Sequence, residues 1–416
     1  MARAADRGSP RASAADSPKT ALLFLHVQRT GGAALTGVLA NRFAARDCLE
    51  LYTGPEPDLG DLDRLRYVSG HVDTSFIERF TRRPFVFTML RDPIERALSA
   101  YAFTSSFPLE YELPPIPRIA RPPAAAEMGR EWWRLARECE LDELISRAPE
   151  VAREILGNRQ ARVLCSAAAG EETLPGALEG LERCDFVGLT ERLDDTVGWL
   201  TRRLGWRDLR PLPRTNVTGP RLRSDQVPAA TMETLVKLTE VDRELHRRGV
   251  ERYERQVREW SAMRDPRDRS ARIPDASPVS DLRFDQAIPG GGWLNRESAE
   301  DGTSFCWIGS TRRAWVEVSA PRRESVLTLE IPHAIDDEVL SGIRILVGDR
   351  VVPHAFAEDG GVLVATARLP RRLSIRRRRR ISIEVDRSIN PREVNPESLD
   401  NRELAIAVRR VALRPA

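Results

Sequence analysis

Residues 21 to 25, Ala-Leu-Leu-Phe-Leu, are a short and fully apolar run, the pattern of a strand buried on both faces of a parallel sheet. Apolar positions return at Leu35, Val38, Leu39 and Phe43 with helical spacing, so the chain predicts a strand, a polar turn and a helix. The design recurs in residues 84 to 103: an apolar run, the charged turn Arg91-Asp92, then Pro93 where the first turn of a helix accepts it. Between the two, Tyr67 and Val68 predict a short strand, and Phe76, Ile77 and Phe80 a helix. Later patterns predict helices at Glu131 to Arg137, Leu141 to Ser146 and Val151 to Leu156, then a short strand at Phe186 and a capped helix ending at Leu204. From Thr231 to Met263 the pattern is one charged helix, with Leu235, Leu238, Val241, Leu245 and Val250 on its apolar stripe. A proline-rich stretch, residues 104 to 126, predicts an irregular loop.

The texture then changes. Residues 263 to 281, rich in Arg, Asp, Ser and Pro, have the composition of a linker. Beyond them come alternating runs at Ala314 to Ser319, Ser325 to Glu330, Gly342 to Gly348, Gly361 to Thr366 and Arg380 to Val385, the period-2 signature of a β-sandwich. The expected organisation is therefore a disordered amino terminus (1–19), an α/β domain with a parallel sheet flanked by helices (20–262), a linker (263–281) and an all-β sandwich (282–416).

Composition narrows the function. Of 416 residues, 31% are charged, yet the net charge is only +3, so nothing in the bulk calls for nucleic acid and any anion site must be local. Five dispersed cysteines without CxxC spacing read as reduced thiols of a cytoplasmic protein, and no metal-ligand cluster is visible. The first twenty residues lack the apolar core of a signal peptide, and no run of about 18 apolar residues occurs. The Arg/Ala-rich bias suggests a bacterial source. Arg376 to Arg380 has two readings: a solvated hairpin turn, or a patch for an acidic glycan or for peripheral attachment to a membrane surface.

The candidate chemistry gathers at the strand ends. In His26-Val-Gln28-Arg29-Thr30-Gly31-Gly32-Ala33-Ala34, glycines permit close approach to a ligand, the N–H groups of the helix start attract an anion, and Arg29 and the Thr30 hydroxyl complete a phosphate or sulfate cradle. The bland alternative is a tight structural turn. The spacing of a Walker A loop is absent, which disfavours a nucleotide triphosphatase or kinase. Arg91 closes the second strand and Ser99 lies two helical turns beyond, so both face the carboxyl edge of the sheet, where open α/β folds bind ligands. His71, in Gly70-His71-Val72, stands at a third strand end; it is either a general base or a space-filling histidine. Trp132 and Trp133 read as core residues before sugar platforms.

Taken together, His26 to Ala34 and Arg91 to Tyr101 resemble the sulfotransferase family 2 group, which includes the heparan-sulfate 2-O- and 6-O-sulfotransferases. Gly70-His71-Val72, Phe186 to Arg192 and Asn216-Val217 are similar to further segments of that family, and Asn158 to Arg162 to one near its acceptor side. The resemblance runs from Thr20 to near Trp260. It implies a P-loop-like core and 3′-phosphoadenosine 5′-phosphosulfate (PAPS) as co-substrate, without a metal. By the same resemblance, Gln28, Arg29, Thr30, Gly31, Gly32, Ala33, Arg91, Ser99 and Asn216 hold PAPS, with Arg91 and Ser99 on its 3′-phosphate. His71 is the catalytic base, Arg29 is catalytic beside it, and a polysaccharide or glycoconjugate is the acceptor. Two departures stand out: Arg29 replaces the family's lysine, and Ala33-Ala34 its Thr-Ser pair. A guanidinium prefers two peripheral oxygens to one bridging oxygen. A second reading is accordingly a catalytically weak PAP- or PAPS-binding protein that serves as a glycan-binding or scaffold subunit.

Overall fold

The structure, a computed structural model, describes residues 20–52, 60, 62–106, 123–166, 173–210, 212–213, 222–262, 273–320, 323–371, 378–398, 400 and 402–416. Five short strands, β1 (Leu22–Leu25), β2 (Cys48–Leu51), β3 (Tyr67–Gly70), β4 (Phe85–Leu90) and β5 (Phe186–Leu189), form one sheet in the order β2-β3-β1-β4-β5. Every pairing is parallel, and Leu25 lies opposite Gly70 on one side and Thr88 on the other. The apolar run of β1 is buried on both faces because it is the central strand. From β1 the chain fills one side of the sheet and then crosses to the other, which leaves a topological switch point at the carboxyl end of β1.

Around the sheet lie α1 (Gly32–Ala40), α2 (Pro93–Ser105), α3 (Pro123–Glu138), α4 (Leu141–Arg147), α5 (Pro149–Leu156), α6 (Arg159–Leu164), α7 (Leu174–Glu182), α8 (Leu193–Leu204), α9 (Ala229–Leu238) and α10 (Glu240–Ala262). Two predicted helices differ. The segment holding Phe76 and Ile77 is a 3₁₀ helix, Thr74–Arg79, opened by the Asp73 carboxylate, which accepts from the Ser75 N–H at 2.7 Å. The single helix expected from Thr231 to Met263 breaks at Thr239, and the reason is tertiary: the carboxylate of Asp242, in the first turn of α10, is fully buried and accepts from the backbone N–H groups of Gln160 and Ala161. Trp132 is buried, with its indole N–H donating to the Thr104 hydroxyl at 2.8 Å.

The carboxyl-terminal part is antiparallel. One five-stranded sheet contains Gly290–Gly291, Arg313–Ser319, Arg344–Val347, Arg350–Val352 and Arg378–Glu384. A second contains Asp281–Arg283, Ser325–Ile331, Ala355–Asp359, Val362–Leu369 and Arg410–Pro415. A three-stranded sheet of Trp293–Ser298, Ser304–Ile308 and Ala407–Val408 completes it. Val316, Ile381 and Ile383 of the first sheet share a core with Leu327, Leu329, Ala365 and Leu413 of the second, as alternation requires. The described part of the arginine run, Arg378 to Arg380, belongs to a strand and not to a turn: Arg380 pairs with Glu317 in the ladder and stacks over the Trp315 ring at 4.0 Å.

The two parts meet along a buried seam. Residues of the expected linker dock on the α/β domain, since Ile273 is buried in its core and accepts from the Trp206 indole at 2.8 Å, while Asp275 pairs with Arg42. Arg42, itself buried, also donates to the carbonyls of Ile288 (2.8 Å) and Gly290 (3.0 Å). Arg207 pairs with Glu317 across the same seam. Because truncating Arg42 leaves several buried acceptors unmatched, Arg42→Ala is expected to lower unfolding stability by about 3–5 kcal/mol, measured by denaturant titration; a loss below about 1 kcal/mol, the range of an exposed pair, would contradict this account of the seam.

Candidate functional site

Four of the parallel strands deliver a functional or structural residue at one edge. β1 leads to His26, β3 to His71, β4 to Arg91 and β5 to Thr190. The turn after β1 is wound tightly. Arg29 and Gly31 both adopt left-handed backbone, with φ of 69° and 76°; for arginine this costs about 1–3 kcal/mol, which the surroundings must hold in place. They do so by hydrogen bonding: Arg91 Nη1 donates to the Arg29 carbonyl at 2.9 Å, and the Thr190 hydroxyl reaches the carbonyls of Thr30 (2.7 Å) and Leu90 (3.1 Å). Gly32 lies against the His26 ring so closely that a Cβ there would overlap it. α1 then starts at Gly32 with Gly31 as its cap, and glycine has no side chain to satisfy the first-turn N–H groups.

The predicted side chains assemble in two clusters. In the first, Gln28 Nε2 lies 3.3 Å from His71 Nδ1, the rings of His26 and His71 are 5.1 Å apart, and the Tyr52 ring stands edge-on to both at 5.3 and 4.9 Å. The Tyr52 hydroxyl and the Thr36 hydroxyl of α1 are 3.0 Å apart. In the second, Arg29 Nε donates to Ser99 Oγ at 3.2 Å, and its guanidinium lies 4.3 Å above the Phe103 ring, one turn further along α2. Arg91 is braced from behind, because the Gln160 carboxamide bonds both its N–H (2.9 Å) and its carbonyl (2.8 Å), while Asp242 holds the Gln160 backbone.

Some expected roles change. The Thr30 hydroxyl does not face outward: Thr30 is fully buried and its hydroxyl donates to the Val27 carbonyl at 2.8 Å, closing the turn from within. Ser99 is buried and engaged by Arg29. Gln28 meets His71, and Ala33 is half-buried in the first turn of α1. Asn216 lies outside the described residues. Residues that sequence reasoning passed over are Tyr52, Phe103 and Thr190. Tyr52 follows β2, whose Cys-Leu-Glu-Leu pattern is too short to announce a strand; Thr190 sits in the Thr-Glu-Arg segment, where its position was visible but its hydrogen bonds were not.

Burial, assisted by the Arg29 charge, lowers the His26 pKa from 6.5 to about 3, so at neutral pH this imidazole is uncharged and a weak proton acceptor. Burial also raises the Tyr52 hydroxyl well out of the physiological range. Among the described residues no group of three or more His, Cys, Asp or Glu is placed to hold a metal ion, and no helix is long and apolar enough to cross a membrane. The five cysteines form no disulfide.

Because His26 is neutral when folded and gains a proton readily when unfolded, its contribution to stability is complete above pH 6.5 and is lost progressively as the pH falls towards about 3. Stability measured by denaturant titration should fall over that window, and the fall should be shallower by on the order of a few kcal/mol in His26→Phe. Equal slopes in the two proteins would show that His26 is protonated in the native state.

No family profile matches the chain, and no curated protein matches it. Among solved structures that match is BtGH115A, described as a novel family GH115 4-O-methyl-α-glucuronidase with specificity for decorated arabinogalactans, at 10% identity and a TM-score of 0.22. The alignment covers 78% of this chain and 38% of the glucuronidase, and a superposition of that quality bears on neither the fold nor the activity of this protein.

Proposed function

We propose that this protein is a PAPS-dependent sulfotransferase that transfers a sulfuryl group to a hydroxyl of a carbohydrate acceptor. The observation that carries the reading is the joining of the two family-like motifs: Arg91 holds the Arg29 carbonyl and Arg29 holds Ser99, at the carboxyl edge where His71 also emerges. The 2-3-1-4-5 parallel order, with a glycine turn between the central strand and α1, supports a P-loop-like description of the core.

In this reading the backbone N–H groups of residues 30 to 33 and the Arg29 guanidinium take up the charge that develops on the transferring sulfuryl and the leaving phosphate. Arg91 binds the 3′-phosphate as a fork. As the acceptor oxygen bonds to sulfur and the sulfur–phosphate oxygen bond breaks, the hydroxyl proton passes to His71. A non-catalytic PAP-binding protein is favoured by one detail, the Arg29 guanidinium stacked on Phe103 and bonded to Ser99 in place of the compact ammonium of the family.

Incubation with ³⁵S-labelled PAPS and polysaccharide tests the choice: labelled glycan is expected, whereas PAP binding without transfer would favour the second reading. His71→Ala should lower turnover by about 10²–10⁴ with PAP affinity nearly intact, and near-normal turnover would remove His71 from the role of base. By calorimetry, Arg91→Ala should weaken PAP binding by about 2–3 kcal/mol; unchanged affinity in the folded variant would rule out the 3′-phosphate assignment.

A further inference from the structure

We propose that the β-sandwich is a fixed part of the anion site: by gripping the far end of α1 it sets the aim of the N–H groups at the near end. The inference does not depend on which anion the turn holds. α1 has nine residues, about 14 Å from end to end, too short to be stable by itself. Towards the parallel sheet it presents Leu35 and Leu39, which are buried apolar contacts without direction; polar contacts on that side are the Tyr52–Thr36 hydroxyl pair, a 3.4 Å bond from the Tyr67 hydroxyl to the Thr36 carbonyl and a 3.6 Å contact from the Cys48 thiol to the Ala40 carbonyl.

The directional grip comes from the other side. Asn41, the residue that ends α1, donates through Nδ2 to the Leu294 carbonyl at 2.9 Å, and its own carbonyl accepts from the Ile288 N–H at 2.7 Å. Arg42 adds its bonds to Ile288 and Gly290, and Arg296 Nη2 donates to the Phe43 carbonyl at 3.0 Å. The carbonyls of Asn41, at the end of α1, and of Phe43, just beyond it, thus meet sandwich donors, one of them a guanidinium. At mid-helix the backbones nearly touch: a Cβ on Gly37 would overlap the Asn295 side chain and lie 2.9 Å from its Cα. A shift of the strand Trp293–Ser298 must therefore move α1, and with it Gly32 against the His26 ring.

Gly37→Ala in the full chain separates this role from a local one. Alanine favours a helix over glycine by about 1 kcal/mol, so an effect confined to the helix itself would slow amide exchange in α1. If the sandwich aims α1, the added methyl pushes the helix off the strand: exchange at Leu35 and Thr36, whose N–H groups are the first to donate within the helix, should rise about tenfold or more while β4 stays protected, and PAP affinity should fall by a similar factor, as calorimetry would read. Arg296→Ala should act in the same direction, with partial recovery in Arg296→Lys, and decides the matter if Gly37→Ala does not fold. Slower or unchanged exchange at Leu35 and Thr36 in a folded variant, or faster exchange restricted to residues 37–43, would overturn the proposal. If the wild-type protein binds no PAP, the sulfotransferase reading fails, and the exchange measurement still decides this one.

Discussion

The hydrogen bond from the Arg91 guanidinium to the Arg29 carbonyl ties the turn after β1 to the turn after β4. It holds an arginine in left-handed backbone, a conformation that an isolated loop would leave for an ordinary one. Once Arg29 is held there, its side chain is delivered to Ser99 and Phe103 on α2, and the chain enters α1 through Gly32, where there is no room for a side chain against His26. Gln160, fixed in turn by Asp242, keeps the Arg91 backbone from moving. The turns after β1 and β4 are thus held by side chains from elsewhere in the chain: Arg91 and Thr190 on the first, Thr190 and Gln160 on the second. Such a preorganised edge holds its donors in place before a ligand arrives.

Charge at this edge is concentrated by withholding it elsewhere. Burial keeps His26 uncharged, whereas Arg29 and Arg91 bring charge to the turn, Arg91 on the Arg29 carbonyl and the Arg29 side chain on Ser99 and Phe103. Glu95 offers Arg91 a negative partner at 3.9 Å and is more than a third exposed.

The two parts of the chain divide the labour by the kind of contact each can make. Apolar packing seats α1 on the parallel sheet, whereas the buried polar seam of Asn41, Arg42, Asp275 and Arg296 fixes its position along the helix axis. Hydrogen bonds in a desolvated seam are specific because each one left unmade is costly. That is why an arginine is tolerated in the interior here: three acceptors meet its charged end.

The hydrophobic pattern by itself determined the strand–turn–helix units at β1 and β4, the helical middle and the alternating strands of the sandwich, because periodicity reports which face of an element is buried. The residues at the strand ends, His26, His71 and Arg91, were also legible, since turns follow strands and their polar side chains stand out against apolar runs. What each of them touches was decided only by tertiary structure. Thr30 turned inward because the carbonyl of Val27 was its nearest acceptor once the turn closed, and the helix over residues 231–263 broke because Asp242 was drawn to the N–H groups of α6. The docking of Ile273 and Asp275, which read as linker, involves Trp206 and Arg42, more than sixty residues away in each case. Pattern measures local preference along one chain segment, and these outcomes were set by partners that folding brings in from distant segments.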